Sequence, residues 1–188
     1  AMFGAWVGYA AGGLGLVGAL LGMAAGIVAG AFIGWIAGVL KAVRGVHEVI
    51  TTIMLNYIAA GVTWWLVTGP LQAEGSKTSG IPQTELIPEE ARVGAVAGIP
   101  IGFVIALLLA VACWWMLSRT TLGFRLNTVG ANKHAARYAG IAINRIIALS
   151  MVIGGGLAGL AGALEAQGTL HRFEPAIGGT LGFDGITI

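Results

Sequence analysis

The chain has 188 residues, of which 57% are hydrophobic and only 10% are charged, and its mean hydropathy is +0.88. These values exclude an average soluble domain and predict an integral membrane protein, folded as an all-α, polytopic bundle of about four transmembrane helices. The net charge of +2 does not indicate nucleic-acid binding, because the basic residues flank the apolar segments, as membrane topology requires.

The small number of cysteines and histidines, and the absence of a nucleotide-binding motif, exclude several kinds of site. Cys113 is the one cysteine, and the three histidines are scattered, so no disulfide, no metal site and no cofactor are expected. The chain lacks a glycine-rich phosphate loop followed by Lys-Ser or Lys-Thr. Because no nucleophile–base pair stands out either, we do not expect an enzyme.

The first span is predicted over 12–40, because residues 1–40 carry no charge and about 20 residues cross a bilayer. Residues 1–13 are either an outer loop or the end of an earlier helix. Within the span, glycines at every fourth position share one stripe: Gly18, Gly22, Gly26, Gly30, Gly34 and Gly38. Such a stripe lets helices approach closely in lipid, so we interpret it as a packing surface.

A second span is predicted over 46–67, and it carries an unusual number of polar residues. Glu48, Thr52 and Asn56 are four residues apart and share one helix face, with Thr51 beside them. A carboxamide without partners is costly in hydrocarbon, so Asn56 should face another helix or a water-filled pathway. The pattern leaves open whether these groups only join helices or line a pathway.

Two further spans are predicted over 99–118 and 146–166. The stretch 69–98 between the second and third spans is predicted to be an extracytoplasmic loop, with a short helix beginning near Pro88. This loop either contacts a partner protein or is a plain solvated connection. The glycine run 154–162 predicts close packing of the fourth span, with bending of that helix as the alternative.

The segment 119–145 between the third and fourth spans has five basic residues and no acidic one. Within it, 132–140 is predicted to be a short helix, with Asn132 as its N-cap and Gly140 as its stop. Small alanines among polar residues give this helix a surface that could enter a groove on a partner. The surface comprises Asn132, Lys133, Ala135, Ala136, Arg137, Tyr138 and Gly140. An ordinary cytoplasmic loop, basic as such loops usually are, is the alternative.

The distribution of charge predicts the topology of the spans. If 41–48 and 119–145 lie inside, the inner segments hold seven basic residues and one acid. The outer segments 69–98 and 165–184 then hold three basic residues and seven acids. This asymmetry is the one that the positive-inside rule expects.

Two motifs, in this order, resemble one family. KAVRGVHEVITTIMLNY at 41–57 and GFRLNTVGANKHAARYAGI at 123–141, together with the glycine-rich helix at 154–168, resemble permease subunits of ATP-binding-cassette (ABC) importers. The likeness is to the branch for simple sugars, nucleosides and branched-chain amino acids, with 41–57 most similar to the nucleoside and simple-sugar members, and it covers roughly the whole chain. It implies that 1–188 is a single permease domain, cut from a longer protein at both ends, with 119–145 as its cytoplasmic coupling loop.

The resemblance also implies partners and a location. We expect a multi-pass protein of a prokaryotic cytoplasmic membrane, working with a cytoplasmic ABC ATPase, a second permease subunit (the same or a related one) and an extracytoplasmic solute-binding protein. Thr51, Thr52 and Asn56 would border the path of a small-molecule solute through the lipid bilayer. His134 departs from the family pattern, in which an acidic residue is common at this position.

Several functions stay open at this level. Hydroxyl and carboxamide groups suit a neutral nucleoside or sugar, since they offer donors and acceptors without a fixed charge. The sequence does not decide between these two solutes. Outside the family, the alternatives are an ion-coupled secondary transporter or channel, and a structural membrane subunit that transports nothing.

Overall fold

The computed structural model describes residues 1–45, 48–76, 82–89, 93–96 and 99–175. These residues form seven α-helices, a 3₁₀ turn at Gly12–Leu14 and a two-stranded antiparallel ladder of β1 (Ala95–Val96) and β2 (Ile99–Pro100). The helices are α1 (Met2–Ala10), α2 (Leu16–Arg44), α3 (Glu48–Thr68), α4 (Ile101–Arg119), α5 (Thr121–Ala131), α6 (Lys133–Tyr138) and α7 (Ile143–Gly168).

Among the helices of the described residues, four are long and apolar enough to cross a membrane: α2, α3, α4 and α7. The prediction of an all-α bundle with four spans is therefore confirmed, although α2 continues to Arg44 and α7 begins three residues earlier than expected. Residues 1–13 contribute α1, which packs on α2 and α7 with Met2 and Ala5 buried.

The centre of the bundle is the crossing of α2 and α7, where the two backbones touch. A Cβ atom added to Gly26 would lie 2.7 Å from Ala163 Cβ and 2.8 Å from the carbonyl oxygen of Gly159. Gly30 meets Gly155 and Gly159 still more closely. We call this contact the glycine seam, and it confirms that the glycine stripe is a packing surface. In lipid such close approach is the main source of helix association.

A buried amide lies at one end of the seam. Gln167 is wholly buried, and its Nε2 donates a hydrogen bond to the carbonyl oxygen of Gly4 over 3.3 Å. Gly8 and Gly22 leave the room that this amide occupies, because a Cβ at either position would press on Nε2. The hydrogen bond from Gln167 therefore joins α7 to α1, and it passes through the space beside Gly22 of α2.

The segment after α3 forms an ordered cap on the same end of the bundle. The N–H of Thr84 donates to the carbonyl oxygen of Phe173 over 3.1 Å, and the N–H of Phe173 donates to Thr84 Oγ1 over 2.9 Å. Ile87 and Phe173 are buried with Val67 at the end of α3. The short helix expected to begin near Pro88 would continue into residues 90–92, which lie outside the described residues.

The helices α3 and α4 lie at the margin of the bundle. α3 packs mainly on α2, while α4 packs on α5 and α7. Both present large apolar side chains outward, among them Met54 and Ile58 on α3 and Leu108 on α4. Lipid or other membrane helices can cover such surfaces, because a bilayer core accepts apolar side chains and satisfied helix backbones.

Two adjacent glycines of α7 provide a test of the seam. Gly155→Ala in the full-length protein should lower the free energy of unfolding by about 1–3 kcal/mol, because its methyl group meets the backbone of Gly30 and Gly34. Gly154→Ala should leave stability unchanged or raise it slightly, because the added carbon would contact nothing within 4 Å beyond the adjacent residues and backbone of α7 itself. Thermal unfolding in detergent measures both, and equal effects of the two substitutions would contradict the seam.

Candidate functional site

A cavity of about 1030 Å³ lies between α2, α3 and α7. The glycine seam forms one wall, where Gly30, Gly34 and Gly155 leave backbone rather than side chain facing the space. The opposite wall is one face of α3 with residues at helical spacing: Thr52, Leu55, Asn56, Ala59, Val62 and Thr63. The cavity therefore has a smooth side and a side that carries hydrogen-bonding groups.

The polar groups on α3 offer both donors and acceptors. Thr63 Oγ1 donates to the carbonyl oxygen of Ala60 over 2.9 Å, so its lone pairs are the part available to a solute. Thr52 Oγ1 likewise donates within the helix, to Val49 over 3.1 Å. The Asn56 carboxamide carries two N–H donors and one carbonyl acceptor. No charged side chain is among the described residues that line this cavity.

The structure brings together two of the three residues predicted for the pathway. Thr52 and Asn56 both line the cavity, whereas Thr51 lies beside them on α3 but outside the lining. The side chain of Glu48 lies outside the described residues. Thr63 was not among the residues predicted for the pathway, although its position seven residues after Asn56 places it on the same helix face.

The basic segment forms two helices, α5 and α6. Asn132 caps α6, since its Oδ1 accepts hydrogen bonds from the N–H groups of His134 over 2.9 Å and Ala135 over 3.2 Å. Gly140 stops the helix in a left-handed conformation with a φ of 73°. The short helix, its cap and its stop are confirmed. The preceding helix α5 was not predicted; Thr120 caps it by accepting from the N–H of Gly123 over 3.1 Å.

The prediction that Ala136 contributes to the exposed surface of α6 is wrong. Its side chain is wholly buried and packs with Val129 of α5 and Ile146 of α7. Because α6 has only six residues and lies against both α5 and α7, one of its positions must face inward. The small side chain of Ala136 at that position lets the backbone of α6 approach the two neighbouring helices. The rest of the predicted surface is exposed: Asn132, Lys133, Ala135, Arg137, Tyr138 and Gly140. Tyr138 is the most prominent, with 93% of its surface exposed.

Comparison with known proteins identifies the family. All of the chain, residues 1–188, matches the family described as branched-chain amino acid transport system / permease component. The chain belongs to this permease family. Together with the four membrane-crossing helices, this establishes a multi-pass membrane protein and confirms the resemblance seen in the sequence.

Individual relatives are transporter permeases. This permease is 38% identical over 187 residues to the guanosine ABC transporter permease protein NupP of Bacillus subtilis (strain 168), an alignment that covers 97% of this chain and 53% of the relative. It is 38% identical over 156 residues to the nucleoside ABC transporter permease protein NupB of Lactococcus lactis, covering 79% of this chain and 43% of the relative.

A sugar permease is also related. The ribose import permease protein RbsC of Escherichia coli (strain K12) is 30% identical over 162 residues, which cover 86% of this chain and 49% of the relative. The chain therefore spans about half the length of the curated relatives that it matches. No solved structure matches it significantly.

Two adjacent alanines test how α6 is held. Ala136→Leu in the purified permease should overpack the contact with α5 and α7, at a cost of about 1–3 kcal/mol. Trypsin should then cleave after Lys133 and Arg137 about fivefold to a hundredfold faster, because the loop opens more often. Ala135→Leu places the same atoms on an exposed position and should leave the cleavage rate unchanged. Faster cleavage in both variants would mean that the buried contact does not order the loop.

Proposed function

We propose that the chain is part of the permease subunit of an ABC importer that moves a nucleoside or a simple sugar across the cytoplasmic membrane. The observation that carries the proposal is the grouping of Thr52, Asn56 and Thr63 on one wall of a large cavity in a protein of this permease family. The relatives named for guanosine and ribose support a neutral solute rich in hydroxyl groups.

The chemistry of the cavity agrees with such a solute. Its volume, about 1030 Å³, is at the upper end of small-molecule sites. A solute that leaves water must find replacement hydrogen bonds, and one hydroxyl with one carboxamide can supply them without a fixed charge. A free amino acid would need partners for two charges, and the described lining has none. Identity of 38% to the guanosine permease against 30% to the ribose permease favours a nucleoside.

The energy for import would come from a separate ATPase subunit that engages the exposed surface of α6. Lys133, Ala135 and Tyr138 are available for that contact. Inward, Ala136 is packed against Ile146 near the start of α7, and α7 carries Gly155 and Gly159 in the cavity wall. A displacement of α6 by the ATPase would therefore move α7 through the contact between Ala136 and Ile146, and with α7 the wall of the cavity that faces the solute.

The remaining partners belong to the same proposal. The ordered cap formed by 69–76, 82–89 and 170–175 lies at the opposite end of the bundle from α6, and its hydrogen bonds give it a fixed surface. We assign this surface to the solute-binding protein. A second permease subunit would complete the pathway beside the exposed face of α3.

Adjacent threonines of α3 provide the test. Thr52→Val and Asn56→Leu, introduced into the intact importer, should each lower uptake of radiolabelled guanosine by about tenfold, because a polar group of the bound solute loses its partner. Thr51→Val is the matched control, since Thr51 lies outside the cavity lining, and it should transport normally. Ribose uptake measured in parallel decides between the two solute classes.

The proposal fails if Thr52→Val and Asn56→Leu, present in the membrane at the normal level, transport both guanosine and ribose at the original rate. It also fails if Thr51→Val is as defective as Thr52→Val, because the cavity would then not distinguish the two positions.

A further inference from the structure

A second, smaller cavity lies at the corner where the chain turns from α6 into α7. Its volume is about 330 Å³, and it is lined by Arg137, Ile141, Ala142, Ile143, Asn144 and Arg145. Arg137 comes from the last turn of α6, whereas Arg145 comes from the first turn of α7. Two arginines from different helices therefore border one space.

These two arginines have no counter-charge nearby in the described chain. Both are exposed, neither forms an ion pair among the described residues, and the segment 119–145 contains no acidic residue. Two positive charges that share a cavity favour an anion between them. Guanidinium groups match phosphate oxygens with paired N–H donors, and the Asn144 carboxamide adds another donor beside them.

The position of the cavity in the membrane narrows the choice of anion. α7 is long and apolar enough over Ile143–Gly168 to cross a membrane, and its polar first turn, with Asn144 and Arg145, suits the level where the hydrocarbon meets the headgroups. Arg145 can place its apolar stem along the helix while its charge stays at that level. Ile141 and Ile143 in the same lining provide apolar surface. A ligand with a phosphate and an attached apolar part fits both features.

We propose that this cavity binds the phosphate of an anionic phospholipid, such as phosphatidylglycerol, from the adjoining membrane leaflet. The lipid phosphate accepts hydrogen bonds from Arg137 and Arg145, and the glycerol end rests against the isoleucines. The bound lipid joins the corner between α6 and α7 to the membrane surface. This inference concerns lipid binding and does not depend on which solute the permease transports.

Lipid retained by the purified full-length permease tests the proposal. Native mass spectrometry of the protein in mixed micelles should show retention of phosphatidylglycerol over phosphatidylcholine. Arg145→Gln should weaken that retention about fivefold, the usual effect of removing one basic residue at an anionic surface. Arg125→Gln is the matched control: it removes the same charge from an exposed position of the same segment, outside the cavity lining, and should retain the lipid.

Three results would overturn the proposal. Equal losses in Arg125→Gln and Arg145→Gln would show diffuse attraction of the basic segment to anionic lipid. Displacement of phosphatidylglycerol by inorganic phosphate at comparable concentration would show a site for a free anion, with no contribution from the lipid. Unchanged lipid retention in Arg145→Gln would show that the arginine pair does not hold lipid, and weakened capture of the ATPase subunit by the same variant would assign the pair to a protein partner.

Discussion

Direct backbone contact between α2 and α7 is the constraint on which the rest of the structure depends. In a bilayer, apolar side chains gain little by leaving lipid for protein, so helices associate through close van der Waals packing. Glycines on both helices bring the chains so near that a Cβ atom added to Gly26 or to Gly159 would overlap the carbonyl oxygen of the other residue. The same small residues admit α1 and the Gln167 amide at one end of the seam.

The seam also explains why a cavity lies beside α3. Helices without side chains at their contact leave a flat backbone surface, and α3 packs on α2 without covering that surface. Asn56 therefore faces an open volume. At the other end of α7, buried Ala136 joins the exposed helix α6 to the helix that forms the wall. One helix thus reaches from the contact with the basic segment to the polar cavity, which is the connection that the proposed import mechanism needs.

Local signals in the sequence were enough to predict the spans, the packing stripe of glycines and the ends of α6. Hydropathy, four-residue spacing and capping by Asn132 each depend on neighbouring residues. Contacts between distant residues could not be predicted in this way. Ala136 points inward because it packs on Ile146, which belongs to another helix. The buried position of Gln167 depends on its hydrogen bond to Gly4, more than 100 residues away in the sequence. Whether Thr51 or its neighbour lines the cavity depends on how α3 rotates against α2, which a single helix does not determine.

The central claim is that the Asn56 face of α3 borders a solute pathway open to water, and thiol labelling tests it most directly. In an intact importer with Cys113 replaced by serine, Asn56→Cys should react with a membrane-impermeant thiol reagent, and guanosine or ribose should slow the reaction. Met54→Cys lies on α3 outside the cavity lining, on the face that the bilayer covers, and should not react, because a thiol in hydrocarbon does not ionise. Failure of Asn56→Cys to react, or reaction that no solute slows, would contradict the pathway.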